Sequence, residues 1–104
     1  MHEAVIANKI IQEAKKQGAE KELSLEVGEL CEIEAHELEE ALENLVPWKL
    51  NVQERKSKIE CACGYAGRAR IIDKGHGYCV FNCPNCNKKP NVLEGGEIKI
   101  IGVG

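Results

Sequence analysis

Five of the six cysteines fall between Cys61 and Cys86, and this crowding constrains the chain more than any other feature. Cys83-Pro84-Asn85-Cys86 is a Cys-x-x-Cys turn, whose tight path aims two sulfurs at one point. Asn87 follows at a position that calls for left-handed backbone, which asparagine tolerates. Cys61-Ala62-Cys63-Gly64 is a shorter pair, and the nineteen residues between Cys63 and Cys83 suit a two-knuckle site. Zinc takes four sulfurs tetrahedrally at ~2.3 Å. The spacing therefore predicts one structural Zn(II) held by Cys61, Cys63, Cys83 and Cys86. Cys79, in the strand-like run Tyr78-Cys79-Val80-Phe81, is the substitute for Cys61, and His76 between two glycines is a weaker one. Two disulfides, or iron bound as in rubredoxin, are the competing uses of these thiols.

A chain of 104 residues with only four aromatic side chains must build a small, mostly aliphatic core, and a metal staple suits that size. The start of the chain has no basic segment followed by an apolar run. No stretch approaches the ~20 apolar residues of a membrane span. A cytoplasmic protein is expected, and in a reducing compartment clustered thiols favour metal over disulfide.

The net charge of −3 conceals a division. Residues 54–93 hold eight Lys/Arg against three Asp/Glu, a balance of +5, and the remainder carries −8. Charge and cysteine content change at the same places, so two modules are expected. One comprises residues 1–53 with 94–104, and the other is the inserted segment 54–93.

Outside the insert the pattern is α+β. Ala4, Ala7, Ile11 and Ala14, with Ile10, predict a helix over 3–17 that stops at Gly18. Leu23, Leu25 and Val27 alternate with polar residues as a half-buried strand does. Leu38, Ala41, Leu42 and Leu45 predict a second helix over 34–46, closed by Pro47. Alternating residues 48–52 and 98–103 predict two further strands. The expected architecture is two helices on a three-stranded sheet, with a rubredoxin-like or zinc-ribbon module inserted at the tip of a hairpin formed by those two strands. Cys31 is expected to be a small buried hydrophobe, and His36, among glutamates, a solvated helix residue.

Met1-His2-Glu3 carries a second metal chemistry. A terminal amine, a deprotonated amide and the His2 imidazole form a planar nitrogen set suited to Ni(II) or Cu(II), and Glu3 can complete the shell. With this opening, the run Leu25-Glu26-Val27-Gly28-Glu29-Leu30, the two cysteine knuckles and Glu94-Gly95-Gly96-Glu97-Ile98, the whole chain resembles the HypA/HybF family of nickel-insertion proteins for [NiFe]-hydrogenase maturation. The first knuckle departs from that family's usual Cys-x-x-Cys-Gly, with Glu60 at the place of its first cysteine, and the segment between the second helix and the second strand is short.

The resemblance implies a nickel site at the chain start with His2 as its indispensable ligand, and zinc in the knuckles. It also implies a nickel-loading GTPase partner and delivery of transported Ni(II) to the hydrogenase large subunit, with some members serving urease. A metallochaperone rather than an enzyme is therefore expected, since no nucleophile–base pair or phosphate-binding loop is present. The rival reading is a zinc-ribbon nucleic-acid module using Arg68, Arg70, Lys74, Lys88 and Lys89 with Tyr65, Tyr78 and Phe81. The acidic body opposes that reading, so no nucleic acid is expected. A rubredoxin-like electron carrier is a third.

Overall fold

The computed structural model describes residues 2–75 and 77–104, with the side chains of His2 and Glu3 outside the described set. Helix α1 spans His2–Lys16. Its core-facing residues are Ala7, Ile10, Ile11 and Ala14, the i, i+3, i+4, i+7 spacing of a single stripe. Ala4, expected in that stripe, is exposed. The helix ends in a Schellman turn. Ala19 N donates to Ala14 O at 2.9 Å and Gly18 N to Lys15 O at 3.0 Å, with Gly18 at φ +96°.

Strand β1, Glu22–Gly28, carries Leu23, Leu25 and Val27 into the core, each at most 1% exposed. Helix α2, Ala35–Glu43, begins after Glu34, whose N–H donates to the Glu37 carboxylate at 3.3 Å. Leu38 and Leu42 are fully buried, and each such side chain stabilises the fold by about 2 kcal/mol. The helix closes earlier than its apolar pattern predicts, and Leu45 lies in the following turn, largely exposed. Strand β2, Lys49–Arg55, and strand β8, Ile98–Val103, flank β1 in the order β2-β1-β8.

That order corrects one expectation. The strands on either side of the insert do not pair with each other, because β1 lies between them. β1 pairs with β2 in parallel, Leu23 beside Leu50 and Leu25 beside Val52, with α2 in the crossover that parallel pairing requires. It pairs with β8 antiparallel, Leu25 beside Ile100 and Val27 beside Ile98. The reason is burial. β1 carries the most deeply buried side chains of the three strands, and the central place hides them and satisfies both its backbone edges.

The expected ladder between outgoing and returning chain exists one step further out. Strand β3, Lys58–Glu60, pairs antiparallel with β7, Asn91–Glu94, and β4, Ala66–Gly67, adds to the other edge of β3. A hairpin of β5, Arg70–Gly75, and β6, Tyr78–Asn82, completes the insert. Two apolar clusters result. One joins both helices to the β2-β1-β8 sheet, and the other gathers Leu30, Ile59, Cys61, Ala69 and Cys83.

The turn after β1 ties these clusters together. Gly28 N donates to Glu97 O at 3.1 Å, Glu29 N to Arg55 O at 2.8 Å and Leu30 N to Gly95 O at 3.0 Å. Gly28 must lack a side chain, since a Cβ there would lie 2.2 Å from Gly95 O. The Glu29 carboxylate, only 3% exposed, accepts from Ser57 N and Ser57 Oγ at 2.5 Å, from Arg68 Nε at 3.0 Å and from Arg68 Nη2 at 2.6 Å. Ser57 Oγ in turn accepts from Ala69 N at 3.0 Å, and Lys74 Nζ donates to Glu29 O at 2.7 Å.

Burial alone would raise the Glu29 pKa, but the donors on Arg68 and Ser57 outweigh it and hold the group at about 2, below its ordinary 4.5. A depressed carboxylate contributes stability that is present above pH 4.5 and is lost as the pH falls toward 2. Arg68 is half exposed, so solvent screens part of the effect and about 2 kcal/mol remains. Acid unfolding followed by circular dichroism is expected to show this loss between those pH values. A Glu29→Ala variant is expected to be less stable by a similar amount at neutral pH and to lack that part of the acid slope. An unchanged slope in the variant would contradict the assignment.

Candidate metal centre

Each knuckle is set by its own backbone bonds. In the first, Gly64 N donates to Cys61 O and Cys61 N to Tyr65 O, both at 2.9 Å, with Gly64 at φ +97°. In the second, Asn87 N donates to Cys83 O and Cys83 N to Lys88 O, also at 2.9 Å. Asn87 takes the left-handed conformation expected for it, at φ +62°. Arg70 braces this second turn from β5, donating to Asn82 Oδ1 at 3.2 Å and to Asn87 Oδ1.

Together the turns bring the sulfurs of Cys61, Cys63, Cys83 and Cys86 within 4.8 Å of one another. Cys61 Sγ lies 3.4 Å from Cys86 Sγ, and Cys63 Sγ lies 3.7 Å from Cys83 Sγ. Four sulfurs arranged tetrahedrally about zinc would stand about 3.8 Å apart, so the donor set fits one such ion. All six cysteines stand as free thiols in the structure. Cys83 is fully buried, Cys61 nearly so, and Cys63 is exposed.

Two thiols of the group differ in how tightly they hold their protons. Asn85 Nδ2 donates to Cys63 Sγ at 3.4 Å, and this bond, with help from the Tyr65 backbone, lowers that thiol to about 6. Cys86 receives some relief from the Lys88 backbone, yet the neighbouring sulfurs of Cys61, Cys63 and Cys83 and its burial push it up to about 11. Cys63 therefore ionises more readily than Cys86. A divalent ion at the centre removes that difference, because it favours the ionised form of every ligand. Asn85 is the residue that sequence reasoning overlooked; an amide inside a Cys-x-x-Cys turn was the available signal.

Cys79 lies on β6, half-buried against the second cluster and apart from the four-sulfur group. Cys31 is buried in the first cluster. His36 sits in the first turn of α2 with its side chain 74% exposed and Nδ1 3.3 Å from a Glu34 carboxylate oxygen. Met1, the side chains of His2 and Glu3, and His76 lie outside the described residues.

Three of the basic side chains proposed for a nucleic-acid surface have internal work. Arg68 binds the Glu29 carboxylate, Lys74 the Glu29 carbonyl and Arg70 the two asparagines. Tyr78 is half exposed but donates to Asp73 at 3.2 Å. Among the described residues no helix is long and apolar enough to cross a membrane.

Comparison with known proteins places this geometry. A protein-family model described as hydrogenase/urease nickel incorporation, metallochaperone, hypA matches residues 1–103. The hydrogenase maturation factor HypA of Methanocaldococcus jannaschii is 32% identical over 115 aligned positions, covering 93% of this chain and 90% of that protein. The solution structure of the Ni metallochaperone HypA from Helicobacter pylori superposes with a TM-score of 0.59 at 20% identity, over 96% of this chain and 93% of that one. A second HypA solution structure gives 0.50 at 19% identity, over 96% and 88%. The chain therefore belongs to the HypA family of nickel-incorporating metallochaperones.

Proposed function

We propose that this chain carries Ni(II) to a [NiFe]-hydrogenase large subunit during maturation, working with a nickel-loading GTPase, and that it is a carrier rather than an enzyme. The observation that carries the reading is the four-sulfur group, built on a chain that matches the family from residue 1 to residue 103. We assign the resident metal as Zn(II) on Cys61, Cys63, Cys83 and Cys86. Zinc supplies no redox chemistry there; it joins the two knuckles and neutralises their thiolates. Asn85 holds the exposed ligand Cys63 ready for deprotonation. Tyr65 braces the adjoining loop by donating from its hydroxyl to Arg68 O at 2.8 Å. The free thiols fit a reducing, cytoplasmic setting.

Nickel is cargo, and we place its capture at the start of α1. His2 is the indispensable ligand, with the Met1 amine and with Glu3 through its amide or carboxylate. Residues 1–53 with 94–104 form the nickel-binding module and 54–93 the zinc-binding module. Their separate apolar clusters and the change of charge between them support this division. The acidic body is the surface on which the GTPase docks, a reading supported by its charge of −8.

Three experiments test the assignment. Metal analysis of untagged protein is expected to give one zinc per chain, and nickel titration one further ion that His2→Ala loses. Nickel binding should weaken between pH 7.5 and pH 5.5 as the imidazole, with a reference pKa of ~6.5, takes up its proton. Unchanged nickel stoichiometry in His2→Ala, or equal affinity at the two pH values, would overturn the capture site. Removing zinc with a chelator is expected to expose the amides of β3 and β7 to hydrogen exchange while the circular dichroism of α1 and α2 persists. Protection of β3 and β7 that survives zinc removal would contradict a structural role for the ion.

A further inference from the structure

Three of the four clustered sulfurs belong to residues that line one opening. The cavity, about 490 Å³, is bordered by Cys61, Cys63 and Cys86, with Glu60, Lys88 and Lys89 on its walls. Cys83 is fully buried and takes no part in that lining. Exposure separates the three further: Cys61 is buried, Cys86 half-buried and Cys63 exposed. Gly64, the next residue after Cys63, has open space where a Cβ would stand, so nothing covers that side of the first knuckle. A reagent arriving from solvent therefore meets the centre at Cys63.

One side chain attends this exposed sulfur. Asn85, inside the second knuckle, donates from Nδ2 to Cys63 Sγ at 3.4 Å. An N–H donor draws electron density from a thiolate and makes it a weaker nucleophile. A second sulfur also stands beside it, with Cys83 Sγ 3.7 Å from Cys63 Sγ. Exposure, a restraining donor and an adjacent thiol together are what a site of oxidation needs.

We propose that Cys63 is the oxidation site of the metal centre, the sulfur at which a small peroxide attacks and through which the resident ion is released. This rests on the zinc reading. In the first step the Cys63 thiolate attacks one peroxide oxygen. The O–O bond breaks, and the hydroxide that leaves takes up a proton and becomes water. Cys63 then carries a sulfenic acid. In the second step the Cys83 thiolate attacks the sulfenic sulfur. An S–S bond forms, the S–O bond breaks, and the oxygen departs as water with a proton from solvent. Each sulfur has lost one electron and each peroxide oxygen has gained one. Zinc binds thiolates, so this disulfide removes two of its four ligands and the ion leaves. Asn85 is the positioning residue that restrains the first step.

The test treats zinc-loaded full-length protein with hydrogen peroxide and follows zinc release with a chromogenic chelator. Peptides taken at partial release are mapped by mass spectrometry. Among the four ligands, oxidised sulfur is expected at Cys63, as sulfenic acid trapped by dimedone or in a disulfide that includes it. Asn85→Ala is expected to keep its zinc and to release it to peroxide about tenfold faster, the reach of one hydrogen bond to a charged acceptor. Its rate of stripping by chelator alone should be unchanged, whereas a knuckle that had merely loosened would speed both rates. A peroxide rate that ignores Asn85→Ala, or that rises only in step with stripping, overturns the role of Asn85. Zinc released while Cys63 stays reduced, or retained while Cys63 is oxidised, overturns the proposal and leaves the zinc assignment standing. Protein that holds no zinc at the outset overturns both.

Discussion

The buried carboxylate of Glu29 holds this molecule together as one object. It sits at the end of the central strand, where the body stops and both connections to the insert pass. With four donor groups on Ser57 and Arg68 bound to it, it turns that crossing point into a joint. A carboxylate buried without such partners would take up a proton or destabilise the fold. Here burial and hydrogen bonding are balanced so that the charge survives, and no buried side-chain polar atom among the described residues lacks a partner. Close approach of Gly28 to Gly95 is the steric counterpart of the same joint.

Much of the fold was legible because the apolar periodicity was clean. The stripe of α1, the alternation of β1 and the stop at Gly18 each followed from side chains that have only one way to be buried. Strand order was less accessible. Residues 48–52 and 98–103 have similar alternation, and sequence neighbours around an insert suggest a hairpin. What decides the order is the depth of burial of β1, a tertiary property shared among three strands. The C-terminal end of α2 departs from its apolar spacing for a related reason. Leu45 continues the helical spacing, but the chain has already turned toward β2, and its side chain faces solvent.

The metal centre divides in the same way. Cys-x-x-Cys geometry is local, so the second knuckle could be read directly, down to the left-handed Asn87. Whether Cys61 or Cys79 stands beside Cys63 was not a local question. It depended on the pairing of β6 with β5, which carries Cys79 away from the knuckles, and on the turn after β3, which brings Cys61 back to them. The partners of Arg68 and Lys74 were hidden altogether. Nothing in a basic run announces that two of its cations will serve a glutamate about forty residues earlier in the chain.

In the proposed function a resident ion builds the insert and a cargo ion is handled elsewhere. X-ray absorption at the zinc edge, on protein also loaded with nickel, tests that division most directly. Four sulfur neighbours at about 2.3 Å and no nitrogen or oxygen in the zinc shell are predicted. A zinc shell containing light atoms, or zinc displaced from it by nickel, would contradict the account.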